Sequence, residues 1–180
     1  MTTPDAINRF WFEEYGLSDW FGGKPEFDAQ IAERFTATHA ALARGEGWNW
    51  RSTPAGRLAE IIVLDQFSRQ LFRAEARAFA TDGMALALAQ EAVGGGHHHF
   101  LPMPQRMFFL LPFMHAESPL MQQESVRLHV ALGDPDNLKF AREHAEVIER
   151  FGRFPRRNAA LGRETTPEEE AYIVSTQGAF

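Results

Sequence analysis

The feature that most constrains the fold is a capping residue placed directly before a proline, which recurs along the whole chain. Proline at the first helical position gives up only an N–H group that would have no intrahelical partner, and the side-chain oxygen before it caps a second N–H. Each such pair therefore predicts the start of a helix. The pairs are Thr3-Pro4, Thr53-Pro54, Ser118-Pro119, Asp134-Pro135 and Thr166-Pro167.

Apolar residues between these starts keep helical spacing, as in the stripe of Phe27, Ile31 and Phe35. No segment alternates with period two between hairpin turns, which argues against strands. We predict an all-α fold with about seven to nine helices. The predicted helices start near residues 4, 25, 54, 82, 104, 119, 135 and 167. Their spacing is uneven, so the helices form an irregular stack without a sequence repeat.

Length and charge exclude several classes of protein. A chain of 180 residues predicts a single domain over residues 1–180. The net charge of -6 argues against nucleic-acid binding, and the absence of Cys excludes disulfides and Cys-ligated metal centres. No apolar run is long enough to span a membrane, and the first residues lack the pattern of a signal peptide. We therefore expect a cytoplasmic protein without a membrane partner.

Standard catalytic and cofactor motifs are absent from the sequence. It has no glycine-rich phosphate loop, no nucleophile elbow and no metalloprotease motif. We expect no cofactor and no metal site. His97 to His99 follow three glycines and predict an exposed loop to which the sequence assigns no role. Whether the protein is an enzyme stays open.

A first polar segment contains Asp65, Arg69 and Arg73. Their spacing of four and eight residues predicts one shared face if the helix continues, and acid before base at i, i+4 favours an ion pair. Two interpretations remain open, a solvated row of ion pairs and a polar face that lines a cleft.

A second segment is the strongly apolar run from Met107 to Met114, which is followed by His115 and Glu117. Pro112 removes a helical hydrogen bond, so we expect a kink or break just before His115. His115 is either a core histidine or part of a pocket wall at this irregular joint. A paired histidine in such a wall would titrate near neutral pH.

A third segment, from Glu149 to Asn158, is rich in arginine and includes Arg153 and Arg157, with Arg163 shortly after. The planar guanidinium group binds carboxylate or phosphate through two parallel hydrogen bonds. The alternatives are a surface cluster that pairs with nearby glutamates and, less favoured by the acidic composition, an RNA-binding patch.

Several segments in fixed order together resemble one bacterial family. They are Leu64 to Phe67, Ala78 to Asp82, Phe108 to Glu117 and Arg150 to Asn158, with similar patterns at Phe10-Trp11-Phe12 and Thr166 to Glu169. The chain resembles domain of unknown function 924 over essentially its full length. The resemblance implies a tetratricopeptide-repeat-like stack of helical hairpins and implies no activity. Arg156 stands where this family commonly has histidine, which leaves His115 and Arg157 as better candidates.

Three hypotheses follow for the polar segments. In the first, arginines bind a small anionic ligand, and His115 with Glu117 or Asp65 forms an acid–base pair. Its residues are Asp65, Arg69, Arg73, His115, Glu117, Arg153, Arg157 and Asn158. In the second, the helices form a tetratricopeptide-like scaffold for a protein partner. In the third, the same charges form a buried network that fixes helix packing. The oligomeric state stays open.

Overall fold

Side-chain caps fix the starts of five helices in the computed structural model, which describes residues 1–176. The side-chain oxygen of each predicted cap accepts a hydrogen bond from a backbone N–H two or three residues further on. These caps are Thr3, Thr53, Ser118, Asp134 and Thr166. The other predicted helix starts also lie within one residue of the observed ones.

The α-helices, in chain order, are α1 (Pro4–Arg9), α2 (Leu17–Trp20), α3 (Pro25–Ala43), α4 (Pro54–Ile62), α5 (Ser68–Leu71), α6 (Asp82–Gly94), α7 (Gln105–Met114), α8 (Pro119–Leu132), α9 (Pro135–Phe151) and α10 (Pro167–Ser175). Two π-helical turns occupy Phe10–Glu14 and Val63–Phe67. Short 3-10 turns occupy Trp48–Ser52, Ala76–Phe79, His97–Phe100 and Pro155–Arg157. Residues 1–176 contain no strand, so the all-α prediction is confirmed. His97 to His99 form a 3-10 turn rather than the expected open loop.

The chain divides into two compact units. The first unit comprises Met1–Arg73 and Arg77–Pro112, and the second comprises Ala74–Ala76 and the chain from Phe113 onward. The single domain over residues 1–180 stays a prediction.

Aromatic side chains form the core of the first unit. Trp11 is fully buried and stacks on Trp20, with ring centroids 5.7 Å apart and an interplanar angle of 9°. The indole Nε1 of Trp20 donates to the Trp11 carbonyl oxygen at 2.8 Å. Phe67 and Phe108 contact the same Trp11 ring at centroid distances of 5.5 and 5.6 Å. Because each aromatic pair adds about 0.5–1.5 kcal/mol beyond area burial, this cluster ties α1, α2 and α7 to the π-turn after α4.

The second unit is built on the hairpin of α8 and α9. Gly133 ends α8 with φ at 78°, a left-handed conformation that glycine adopts without strain. Ile148 and His144 lie on the buried face of α9. The buried face of α8 is unusually polar, because it carries Gln122 and His129.

Gly56 tests how closely α4 approaches the turn that precedes it. A Cβ atom at Gly56 would lie 2.0 Å from the Trp50 carbonyl oxygen, whereas a Cβ at Gly83 in α6 meets nothing within 4 Å. We expect Gly56→Ala to lower the free energy of unfolding by about 1–3 kcal/mol through overpacking. Gly83→Ala should raise it by up to about 1 kcal/mol because alanine favours the helix. Urea denaturation of both variants measures the difference, and an equal effect of the two would contradict this packing.

Candidate functional site

The first unit contains a polar cluster where the helix that begins as α4 widens into the π-turn Val63–Phe67. The Leu64 carbonyl oxygen accepts hydrogen bonds from Ser68 Oγ at 2.7 Å and from Thr81 Oγ1 at 2.6 Å. His39 Nε2 lies 2.7 Å from Ser68 Oγ, and the three polar side chains are buried. Side chains thus bond a carbonyl of the π-turn, a geometry frequent at functional sites.

Asp65 follows in the same turn and is only 1% exposed. Gln66 Nε2 donates to Asp65 Oδ2 at 2.6 Å, and Arg69 Nη1 lies 3.2 Å from Asp65 Oδ1. Arg69 also forms two hydrogen bonds, of 2.9 and 3.0 Å, with the carboxylate of Asp82. Burial lowers the pKa of Arg69, but the charges of Asp65 and Asp82 outweigh it, and the net shift is upward. The predicted Asp65–Arg69 pair is confirmed, and its aspartate is buried rather than solvated.

Arg73 does not share the face of Asp65 and Arg69. The helix ends at Leu71, so the condition for a common face is not met. Arg73 instead forms an ion pair with Asp28 near the surface.

In the second unit, the end of α7 leaves carbonyl groups that side chains must bond. This helix ends at Met114, two residues after Pro112, so the predicted break before His115 is confirmed. The last carbonyls of a helix have no intrahelical donor. Gln122 Nε2 donates to the carbonyl oxygens of Met114 and Ala116, both at 2.8 Å.

The carbonyl between them belongs to His115 and accepts a hydrogen bond from Arg157 Nη2 at 2.9 Å. The Arg157 guanidinium carbon lies 4.5 Å from the centroid of the Phe154 ring. The ring of His144 contacts Phe154 at 5.6 Å and His115 at 6.3 Å, measured between centroids. We call these four residues, His115, His144, Phe154 and Arg157, the His115 joint.

His144 is held neutral within this joint. Its Nδ1 lies 2.8 Å from the Phe140 carbonyl oxygen, so Nδ1 carries the proton. Burial lowers the pKa of His144 to about 3, with further lowering by the positive charges of His115 and Arg157. The surroundings of His144 therefore disfavour an additional positive charge.

Glu117 is held by an arginine and by a backbone amide. Arg163 forms two hydrogen bonds with its carboxylate, of 2.7 and 2.9 Å, and the Phe154 N–H donates to it at 2.8 Å. Burial raises the pKa of Glu117, but the hydrogen bonds from Arg163 and the Phe154 N–H outweigh that effect, and the net shift is downward. Glu117 is therefore a stable carboxylate that fixes the turn carrying Arg157.

A second carboxylate, Glu169, organises the remaining predicted residues. Arg153 binds it at 2.6 and 2.8 Å, and Asn158 Nδ2 donates to it at 3.2 Å. The hydrogen bond from Arg153, together with that from the Thr166 N–H, lowers the pKa of Glu169 to about 2. Asn158 is fully buried and also accepts a hydrogen bond from Arg163 at 3.0 Å.

The predicted site residues thus fall into groups with different surroundings. Asp65, Arg69 and Arg73 belong to the first unit, and the other five predicted residues belong to the second. Within the second unit, His115 and Arg157 are in contact, Glu117 braces their turn, and Arg153 and Asn158 share Glu169. Sequence reasoning missed His144, Gln122, His129 and His39. A usable signal existed for His144, because it interrupts an apolar helical stripe between Ala141 and Ile148.

Searches for a metal site and for membrane spans gave negative results in the described part of the chain. Residues 1–176 contain no group of three or more His, Cys, Asp or Glu residues placed to hold a metal ion. None of the described helices is both long and apolar enough to cross a membrane.

Comparison with known proteins gives two matches. Residues 7–177 match the model of a family described as bacterial protein of unknown function, DUF924. The chain is similar to the solved structure of the protein of unknown function ATU0120 from Agrobacterium tumefaciens. The two chains are 40% identical with a TM-score of 0.91, over 96% of this chain and 97% of the other. No curated protein matches the sequence.

Two ion pairs between the same chain segments provide a matched test of burial. Arg153 pairs with Glu169, whose side chain is 3% exposed, and Arg150 pairs with Glu168, whose side chain is 65% exposed. Double-mutant cycles to alanine, read by urea denaturation, should give a coupling energy of about 1–3 kcal/mol for the buried pair. The exposed pair should give about 1 kcal/mol or less, because solvent screens it. Equal couplings would contradict a structural role for Glu169.

The pKa of His144 predicts how stability depends on pH. The unfolded histidine has a pKa of about 6.5, so below this pH the unfolded chain binds a proton that the folded chain does not. The free energy of unfolding therefore falls as pH drops from 6.5 toward the folded pKa of about 3. His144→Gln should reduce the loss between pH 7 and 5 by about 2 kcal/mol. Urea denaturation at both pH values measures it. His99→Gln, at an exposed residue, is the control, and an equal pH slope in all three proteins would contradict the assignment.

Proposed function

The chain belongs to the bacterial DUF924 family, and we propose that this member binds a small anion, a carboxylate or a phosphate, at the His115 joint. The family description assigns no activity, so the proposal stands on the contacts of the joint.

The placement of Arg157 is the observation that carries the proposal. Its guanidinium group is fixed by the hydrogen bond to the His115 carbonyl and by the ring of Phe154. The 3-10 turn that carries Arg157 is itself fixed, because Glu117 bonds the Phe154 N–H. An arginine already ordered in this way loses less side-chain entropy when it binds an anion.

The electrostatics of the joint favour an anion over a cation. His144 stays neutral because it is buried near the positive charges of His115 and Arg157. A negative ligand group placed there would relieve this repulsion, since opposite charges stabilise each other most strongly away from solvent. Glu117, the nearest carboxylate on this turn, is bound by Arg163 and the Phe154 N–H.

Four other arginines contribute to the fold instead. Within their own units, Arg69 binds Asp82, Arg73 binds Asp28, Arg153 binds Glu169 and Arg163 binds Glu117. The proposal therefore narrows the predicted anion site to Arg157 and assigns the other charges to a structural network. It proposes binding without a reaction, because the lowered pKa of Glu117 makes that residue a weak proton donor.

A protein-interaction scaffold is the second candidate function. An open depression of about 420 Å³ runs along α9, lined by Pro135, Leu138, Lys139, Arg142, Glu143 and Glu146. Its mixture of apolar stems and charges of both signs suits a peptide or helix of a partner protein.

A thermal-shift screen tests the anion proposal. The probes are inorganic phosphate, sugar phosphates, nucleotides and small carboxylates, each applied to the wild type. A ligand at about 100 times its Kd stabilises the fold by about 2.7 kcal/mol, which raises the Tm by roughly 5–11 °C for a chain of this size. Arg157→Ala should remove the shift while the variant remains folded.

Arg150→Ala is the matched control, since Arg150 lies in the same segment but pairs with the exposed Glu168. It should retain the full shift. If no anion raises the Tm of the wild type, or if both variants lose the shift equally, the proposal is wrong. In that outcome the scaffold becomes the better hypothesis, and charge-reversal variants of Lys139 and Arg142 would test it.

A further inference from the structure

The amide of Gln122 has an unambiguous orientation in the second unit. Its Nε2 lies 2.8 Å from the carbonyl oxygens of both Met114 and Ala116. A carbonyl oxygen only accepts hydrogen bonds, so the atom between them must be the NH₂ group. Both N–H donors of the amide are therefore used, and Oε1 is left as an acceptor.

Gln122 Oε1 has no donor within hydrogen-bond distance among residues 1–176, although the side chain is only 2% exposed. Leaving a buried acceptor without a donor costs about 1–3 kcal/mol. Because the two carbonyls that orient the amide flank His115, its Oε1 lies beside the His115 joint. A structural role for Gln122 explains its N–H groups but leaves Oε1 without a function.

His129, two helical turns further along α8, has the same property. Its Nδ1 donates to the Ser125 carbonyl oxygen at 2.8 Å, so Nε2 is an acceptor. No donor among the described residues reaches this Nε2, and His129 is fully buried. The buried face of α8 thus presents two unsatisfied acceptors, and the nearer one to His115 is Gln122 Oε1.

We propose that the anion bound at the His115 joint carries a hydroxyl group, and that this hydroxyl donates its hydrogen bond to Gln122 Oε1. The ligand class is then a small hydroxylated carboxylate or phosphate ester. This inference rests on the proposed anion binding and adds the neutral part of the ligand to it. Arg157 provides the positive charge, and Gln122 provides the acceptor that selects for the hydroxyl.

Matched pairs of probes that differ by hydroxyl groups test the inference. L-malate is compared with succinate, and glycerol 3-phosphate with propyl phosphate, by isothermal titration of the wild-type protein. One hydrogen bond to a buried acceptor predicts that the hydroxylated member binds about tenfold more tightly. The pair that binds more tightly overall also tells a carboxylate ligand from a phosphate ligand.

Gln122→Met removes the acceptor while keeping the length of the side chain, and it should reduce the tenfold preference to about one. Gln70→Met is the matched control. Gln70 is also a buried glutamine with an unpartnered Oε1, but it belongs to the first unit. That variant should keep the tenfold preference.

If Gln122→Met does not fold, labelling gives an independent measurement on the wild type. The ¹³Cδ resonance of Gln122 should shift with the hydroxylated probe and not with its matched partner.

The outcomes separate the two proposals. Equal binding of both members of each pair would overturn the role of the hydroxyl and leave the anion site standing. A preference that survives in Gln122→Met would overturn the assignment to Gln122. Failure of all four probes and of the anion screen would overturn the anion site, and this inference with it.

Discussion

The second unit depends on how the carbonyl groups at the end of α7 find donors. Three consecutive carbonyls, at residues 114–116, are bonded by side chains rather than by the helix itself. Gln122 supplies two of these donors and Arg157 the third. Because α8 and the turn after α9 each send a side chain to one short stretch of backbone, that stretch fixes both of them. The geometry of the His115 joint is a consequence of this bonding.

The first unit meets a similar demand within a helix. The π-turn Val63–Phe67 has a carbonyl, that of Leu64, to which the side chains of Ser68 and Thr81 donate. In both units a departure from regular helix is stabilised by polar side chains that are buried, where competition from water is excluded. Buried polar groups here therefore coincide with irregular backbone, and the most apolar segments of the sequence adjoin both places.

Local rules predicted a large part of this structure. The helix starts followed from Thr53 and the other caps because a cap acts over three residues, and the Asp65–Arg69 pair followed from helical spacing. The contacts of the candidate site lie beyond such rules. Arg157 and His115 are 42 residues apart, and their contact depends on the packing of α7 and α9 against the turn between them. Pro112 indicated where the joint lies, but the roles of His144 and Gln122 required three-dimensional structure.

The π-turn after α4 also governs how the chain tolerates changes in length. A π-helical turn contains one residue more than an α-helical turn, and each residue rotates the following side chains by about 100°. Deleting one residue from Val63–Phe67 would restore a regular helix and turn Ser68 away from His39. Arg69 would leave Asp82 by the same rotation. Single-residue length variation at this turn would therefore exchange the whole polar cluster of the first unit at once, while the helices on either side remained helical.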